Sequence, residues 1–186
     1  MNRVGAGLVL LGTVYATTPS LADEPVPGAC PKQGTVLNFD NGVIVTVGSA
    51  DGLTCNVVSS DGGPIVLVGL LSLKSQKRTP SADEIAAVKS LWPLEVGKSA
   101  KFKFRNDSGN SWDETLTVSG KQEVVTKAGT FQTFVVDWVE EGTGYLATYT
   151  SYIAPDLSYL VKRKSTVTRG RANGLSNWEL VSVKSP

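Results

Sequence analysis

From Thr35 onward, apolar positions mostly alternate with polar ones in short runs separated by turn residues. Side chains two apart share one face of a strand, so the pattern reads as successive strands. Val36 to Asp40 and Val43 to Val47 flank Asn41-Gly42, a pair favoured in two-residue hairpins. In that register Phe39 opposes Ile44 and Leu37 opposes Thr46. Leu37, Phe39 and Ile44 then share one face; Val36, Val43, Val45 and Val47 share the other. Both faces are partly apolar, so the second is expected to be covered or to line a cavity. Asp51-Gly52 and Asp61-Gly62-Gly63-Pro64 form the next turns, around strands at 53–59 and 65–71. Later strands are expected at 100–105, 113–118, 123–127, 131–140, 145–153, 159–167 and 177–183.

One segment breaks this period. Ser81 and Glu84 make a capping box, with Asp83 and Glu84 in the first turn. Ile85, Val88, Leu91 and Trp92 then recur at helical spacing until Pro93 stops the run. A helix of about 11 residues is marginal alone and must lay its stripe on the sheet. The order strands–helix–strands predicts a mainly β fold. Its expected form is a curved antiparallel sheet of about eleven strands, with one short helix against it.

The first 22 residues follow a different rule. Met1-Asn2-Arg3 is basic, Val4 to Tyr15 is uncharged and mostly apolar, and Ser20-Leu21-Ala22 offers small residues for cleavage. This reads as a secretory signal peptide over 1–22, giving a mature N-terminus at Asp23. The apolar run is short for a membrane span. The expected domains are then the signal, a Pro/Gly-rich tail at 23–33 and a single β domain at 34–186. The expected location is the periplasm or the exterior.

Cys30 and Cys55 are the two cysteines. In an oxidising compartment an even count favours a bridge. In a three-strand meander the first and third strands lie about 10 Å apart. The residues between Cys30 and the first strand can span roughly 13 Å, so the tail can cross and be stapled to Cys55. Lipid attachment at Cys30 fits less well, because Pro27 stands where a lipobox wants Leu.

Composition removes several chemistries. The chain has no histidine, which excludes Ser-His-Asp and Cys-His catalysis and most zinc sites. No catalytic residue, metal site or cofactor is expected. Without Arg3 the charge is zero, which argues against nucleic acid as a partner. Gly97-Lys98-Ser99 imitates a P-loop end but leads into a strand, where that motif needs a helix. Asn106 to Asn110 is oxygen-rich but lacks the EF-hand order of ligands. Asp113-Glu114 and Glu140-Glu141 are strand neighbours whose side chains point to opposite faces. Acids from different strands can still meet as in a glycosidase.

Two groups of residues remain. Trp92, Phe102, Phe104, Trp138, Tyr149 and Tyr152 are candidates for an apolar groove. Residues 74–105 and 162–171 are rich in Lys and Arg. Within them Lys101, Lys103, Arg105, Lys162, Arg163 and Lys164 are candidates for a basic patch facing an envelope component.

A longer pattern runs through 91–167. Leu91-Trp92-Pro93-Leu94-Glu95-Val96-Gly97-Lys98 precedes Ala128-Gly129-Thr130-Phe131-Gln132-Thr133. Tyr152-Ile153-Ala154-Pro155-Asp156-Leu157 and Val161-Lys162 follow. This W-P-L-x-x-G-K, A-G-T-F, Y-x-A-P series resembles uncharacterised bacterial exported proteins with a domain of unknown function. Those domains resemble, more distantly, the half-barrels of the lipoprotein-localisation carriers. The resemblance implies a half-barrel and no active site. It carries over no lipid-contacting residue. Ser158 stands near a position where the pattern often has glycine.

The leading expectation is an exported, non-catalytic binding module for an apolar or amphipathic ligand, with lipid a candidate partner. The alternatives are an envelope interaction protein using basic strand faces and a hydrolase using carboxylates alone.

Overall fold

The computed structural model describes residues 30–68, 71–72, 81–105, 109–170 and 177–186. The proposed signal, most of the tail, the basic residues 74–78 and loop positions 106–108 lie outside them.

Eleven strands form one sheet: β1 (Val36–Phe39), β2 (Ile44–Asp51), β3 (Thr54–Ser59), β4 (Gly63–Val68), β5 (Leu71–Ser72), β6 (Ser99–Arg105), β7 (Ser111–Thr126), β8 (Gly129–Gly142), β9 (Tyr145–Ala154), β10 (Tyr159–Arg169) and β11 (Trp178–Lys184). The single helix, α1, spans Ala82–Lys89. The strand order is β5-β4-β3-β2-β1-β11-β10-β9-β8-β7-β6, and every pairing is antiparallel. The sheet is therefore curved and unclosed, as expected. Pairing of β1 with β11 joins the first strands to the last in one sheet.

The expected strand count is met by two compensating differences. Residues 113–118 and 123–127 are parts of one strand, β7, because the chain absorbs Ser119-Gly120 as a bulge rather than a turn. β5 supplies the missing strand.

The first hairpin corrects the expected register. Gly42 donates to Phe39 and Phe39 donates to Val43, so the loop holds Asp40, Asn41 and Gly42 instead of two residues. Gly42 takes a positive φ of 85°, the conformation that glycine provides in such three-residue loops. The extra residue slips the register by one, pairing Leu37 with Val45. A one-residue slip exchanges faces. Leu37, Phe39, Val45 and Val47 are buried together, while Ile44 is 43% exposed. One face is thus core and the other faces outward, and the two-faced apolar hairpin is overturned.

α1 starts as its sequence indicates: Ser81 accepts from the Glu84 N–H while Glu84 bonds the Ser81 N–H. It ends earlier than expected, at Lys89, and Leu91 and Trp92 lie in the turn beyond. The helix packs on β6 and reaches β4, near opposite ends of the sheet order. Val88, Leu91 and Leu94 are fully buried and join the cluster containing Ala100, Leu116, Val118 and Val136. The helix and its exit turn thus fill part of the concave face.

Cys30 and Cys55 are bonded, with their Cα atoms 5.7 Å apart. The tail crosses the end of β2 to reach β3, as the reach argument requires.

Candidate functional site

Cross-strand pairing determines which candidates meet. On one face of the β6–β10 half-sheet, Phe102 pairs with Glu114, and Glu114 pairs with Glu140. One row away, Leu116 pairs with Trp138 and Trp138 with Tyr149. Ala100, Leu116 and Val118 share this alternation with Phe102 and Glu114, so it is the face that carries the helix. Beyond the helix, the apolar lining gives way to aromatic and charged groups.

Three of the six groove candidates come together there. The rings of Phe102 and Trp138 lie 6.5 Å apart, and those of Trp138 and Tyr149 lie 5.8 Å apart. All three side chains are half-buried. Phe104 shares the face but stacks on Trp112, at 5.0 Å. Trp92 packs against the core at the helix exit. Tyr152 is three residues from Tyr149 on a regular strand, so it faces the other way and is buried.

The basic candidates divide. Lys101, Lys103 and Arg105 alternate with Phe102 and Phe104 and take the outer face of β6. Lys162 and Lys164 take the outer face of β10. β6 and β10 are four strand spacings apart, about 19 Å. Lys103 is paired with Asp113 at 2.8 Å and Lys162 with Glu179 at 2.8 Å. Arg163 faces inward instead. Its guanidinium carbon lies 4.5 Å from the Tyr149 ring centre and 5.9 Å from that of Trp138.

Hydrogen bonds fix the rings around it. The Trp138 indole N–H donates to the Glu114 carboxylate, which is 3% exposed. The Tyr149 hydroxyl donates to Glu140 Oε2 at 2.8 Å. Burial, then the neighbouring Tyr145 hydroxyl, the hydrogen bond to Glu140 and the Glu140 charge, hold the Tyr149 hydroxyl well above the ordinary tyrosine range. It is therefore a neutral donor at any physiological pH. Burial also lowers the Arg163 pKa, partly offset by Tyr149 and Glu140. Arginine nevertheless stays protonated at neutral pH.

A cleft of about 580 Å³ adjoins this cluster, lined by Gly109, Asn110, Ser111, Trp112, Glu140, Thr143 and Tyr145. Glycines make room for its rings. A Cβ at Gly142 would stand 2.6 Å from the Trp112 ring, and one at Gly170 would stand 2.9 Å from Tyr145. Glu114 and Glu140 are direct cross-strand partners, so acids from different strands do meet. Only Glu140 lines this cleft, because Glu114 is buried and accepts from Trp138. Lys98 of the P-loop-like triplet bonds the Pro93 carbonyl and Glu95 and leads into β6.

Sequence reasoning missed Glu114, Glu140 and Tyr145 as site residues and placed Arg163 with the wrong neighbours. Strict alternation from Lys162 to Lys164 could have turned Arg163 inward, but the pairing that gives it Trp138 and Tyr149 was not readable.

No family model matches the chain, and no curated protein matches it. Among solved structures, the hypothetical lipoprotein YmcC of Escherichia coli is similar with a TM-score of 0.46 and 12% identity, over 82% of this chain and 83% of that one. A candidate lipoprotein from Parabacteroides distasonis gives 0.44 and 10%, over 87% and 100% respectively. Likenesses this distant say nothing of what the chain binds. No helix among the described residues is long and apolar enough to cross a membrane.

Proposed function

We propose that this chain is an exported, non-catalytic binding module for an amphipathic ligand. The observation that carries the reading is the half-buried row of Phe102, Trp138 and Tyr149 on the concave face. A row of rings beside hydrogen-bonding groups suits a ligand with one apolar and one polar part. Export is supported by the leader pattern in residues 1–22 and by the Cys30–Cys55 bond, which persists in oxidising compartments. The envelope-interaction reading needs a continuous basic face, and the lysines of β6 and β10 stand apart. The hydrolase reading needs two acids in one cleft, and Glu114 is buried beside its partner.

The test is native mass spectrometry and solvent extraction of protein purified from its own compartment, with titration by a fluorescent fatty acid. Co-purification of an amphipathic molecule, or saturable probe binding that changes tryptophan emission, is the expected result. Absence of both would sink the reading.

A further inference from the structure

Arg163 holds an unusual position for a cation. It is half-buried, and its charge rests on the faces of Tyr149 and Trp138. Among the described residues it donates no hydrogen bond and has no carboxylate within ion-pairing distance. Lys162, its neighbour in sequence, has Glu179, and Arg169 on the same strand has Glu141. The nearest inward acids have other work: Glu140 accepts from Tyr149 and Glu114 accepts from Trp138. A guanidinium carries five N–H donors in a fixed fork. These nitrogens have no protein partner and are not sealed from solvent. The aromatic faces hold the guanidinium in place, and its fork stays open to a ligand.

We propose that Arg163 receives the carboxylate head of the amphipathic ligand, whose apolar tail lies along Tyr149, Trp138 and Phe102. This rests on the binding-module reading and names the ligand class: a long-chain carboxylic acid. A planar carboxylate matches the fork with two parallel hydrogen bonds. A phosphate could take the same donors. Two carboxylates already flank the row, so a dianion meets more repulsion than a monoanion. The guanidinium lies 5.9 Å from the Trp138 ring centre, and that ring lies 6.5 Å from the Phe102 ring, so the first stretch of the tail, about 12 Å, runs over aromatic surface.

The experiment titrates the mature protein at fixed salt with a fluorescent fatty acid and with its methyl ester, and competes both with an alkyl phosphate of equal length. The acid is expected to bind at least tenfold tighter than the ester, with the alkyl phosphate weaker than the acid. Arg163→Met is expected to abolish the acid's advantage while leaving ester affinity unchanged, which also shows that the variant is folded. Arg163→Lys keeps the charge but loses the fork, and should recover only part of the preference. Equal binding of acid and ester by the native protein would overturn this inference and leave the binding module standing. So would a preference that survives Arg163→Met, which would place the anion on the outer lysines. A tighter alkyl phosphate would overturn the carboxylate assignment. Failure of both acid and ester to bind would remove the inference and the parent reading together.

Discussion

The concave face is built in two ways along the same strands. At one end Ala100, Leu116, Val118 and Val136 meet Val88, Leu91 and Leu94 of the helical segment, and all are buried. Two residues further along β7 and β8, the same alternation delivers Glu114, Trp138 and Glu140, with Tyr149 and Arg163 from β9 and β10. The first end satisfies itself: apolar groups against apolar groups. The second satisfies its rings and its acids but leaves its cation without a hydrogen bond or ion pair. The contrast teaches where stability ends and recognition begins, since a fold that needed only stability would have continued the apolar rows.

The largest effect should come from the filled end. Leu91 is fully buried in the helix exit turn, so Leu91→Ala removes contacts and leaves a cavity. The expected cost is about 2–5 kcal/mol, read by urea denaturation of the mature protein. A loss well under 1 kcal/mol would mean that the helical segment is not part of the core.

The disulfide tests the scaffold without touching either end. Cys30 and Cys55 are separated by 25 residues, and closing such a loop stabilises by about 3 kcal/mol in the chain-entropy account. Cys30→Ser, Cys55→Ser and the double variant should lower the melting temperature by similar amounts, with ligand affinity unchanged in the folded protein. Two free thiols in the unreduced native protein would show that the bridge is absent.

The two ends also differ in how far they could be read from the sequence. The filled end was legible, because a capping box and a 3.6-residue stripe are local signals. Ser81 and Glu84 form the box, and Val88 is buried on the helix, while Leu91 is buried in the turn just past its end. The disulfide was legible too, from compartment, count and reach. The recognition end was not, since it depends on which residues of different strands are paired. Nothing in Glu114 or Glu140 alone reports that they face each other across β7 and β8. The register of the first hairpin failed for a related reason: Asn41-Gly42 serves both two- and three-residue loops, and the choice decides every face that follows.

Arg163→Met separates the two ends most sharply. At the filled end, removing a side chain costs stability. At the recognition end, Arg163 is half-buried and has no hydrogen bond or ion pair to lose. Replacing it with an apolar chain of similar length should change stability little, the cation–π contact given up being worth roughly 0.5–1 kcal/mol. Acid binding should fall while the denaturation midpoint stays close to the native one. A midpoint that drops by as much as it does for Leu91→Ala would make Arg163 a structural residue, and the contrast between the ends would collapse.

The smallest effect lies outside both ends, in the turn between β9 and β10. Ser158 has a φ of 52°, the one positive value at a non-glycine among the described residues. Its N–H donates to the Pro155 carbonyl, which holds the tight turn. Left-handed backbone costs an L-residue about 1–2 kcal/mol, and glycine avoids that cost. Glycine also gains freedom in the unfolded chain, which returns part of the benefit. Ser158→Gly should therefore stabilise by somewhat under 1 kcal/mol, visible as a small rise in the denaturation midpoint. Ligand binding should not change. Ser158→Gly and Arg163→Met would then resemble each other in stability and differ in affinity. That pairing distinguishes strain relieved in a turn from a charge removed at a site. A destabilised Ser158→Gly would mean that the turn adopts another conformation in solution.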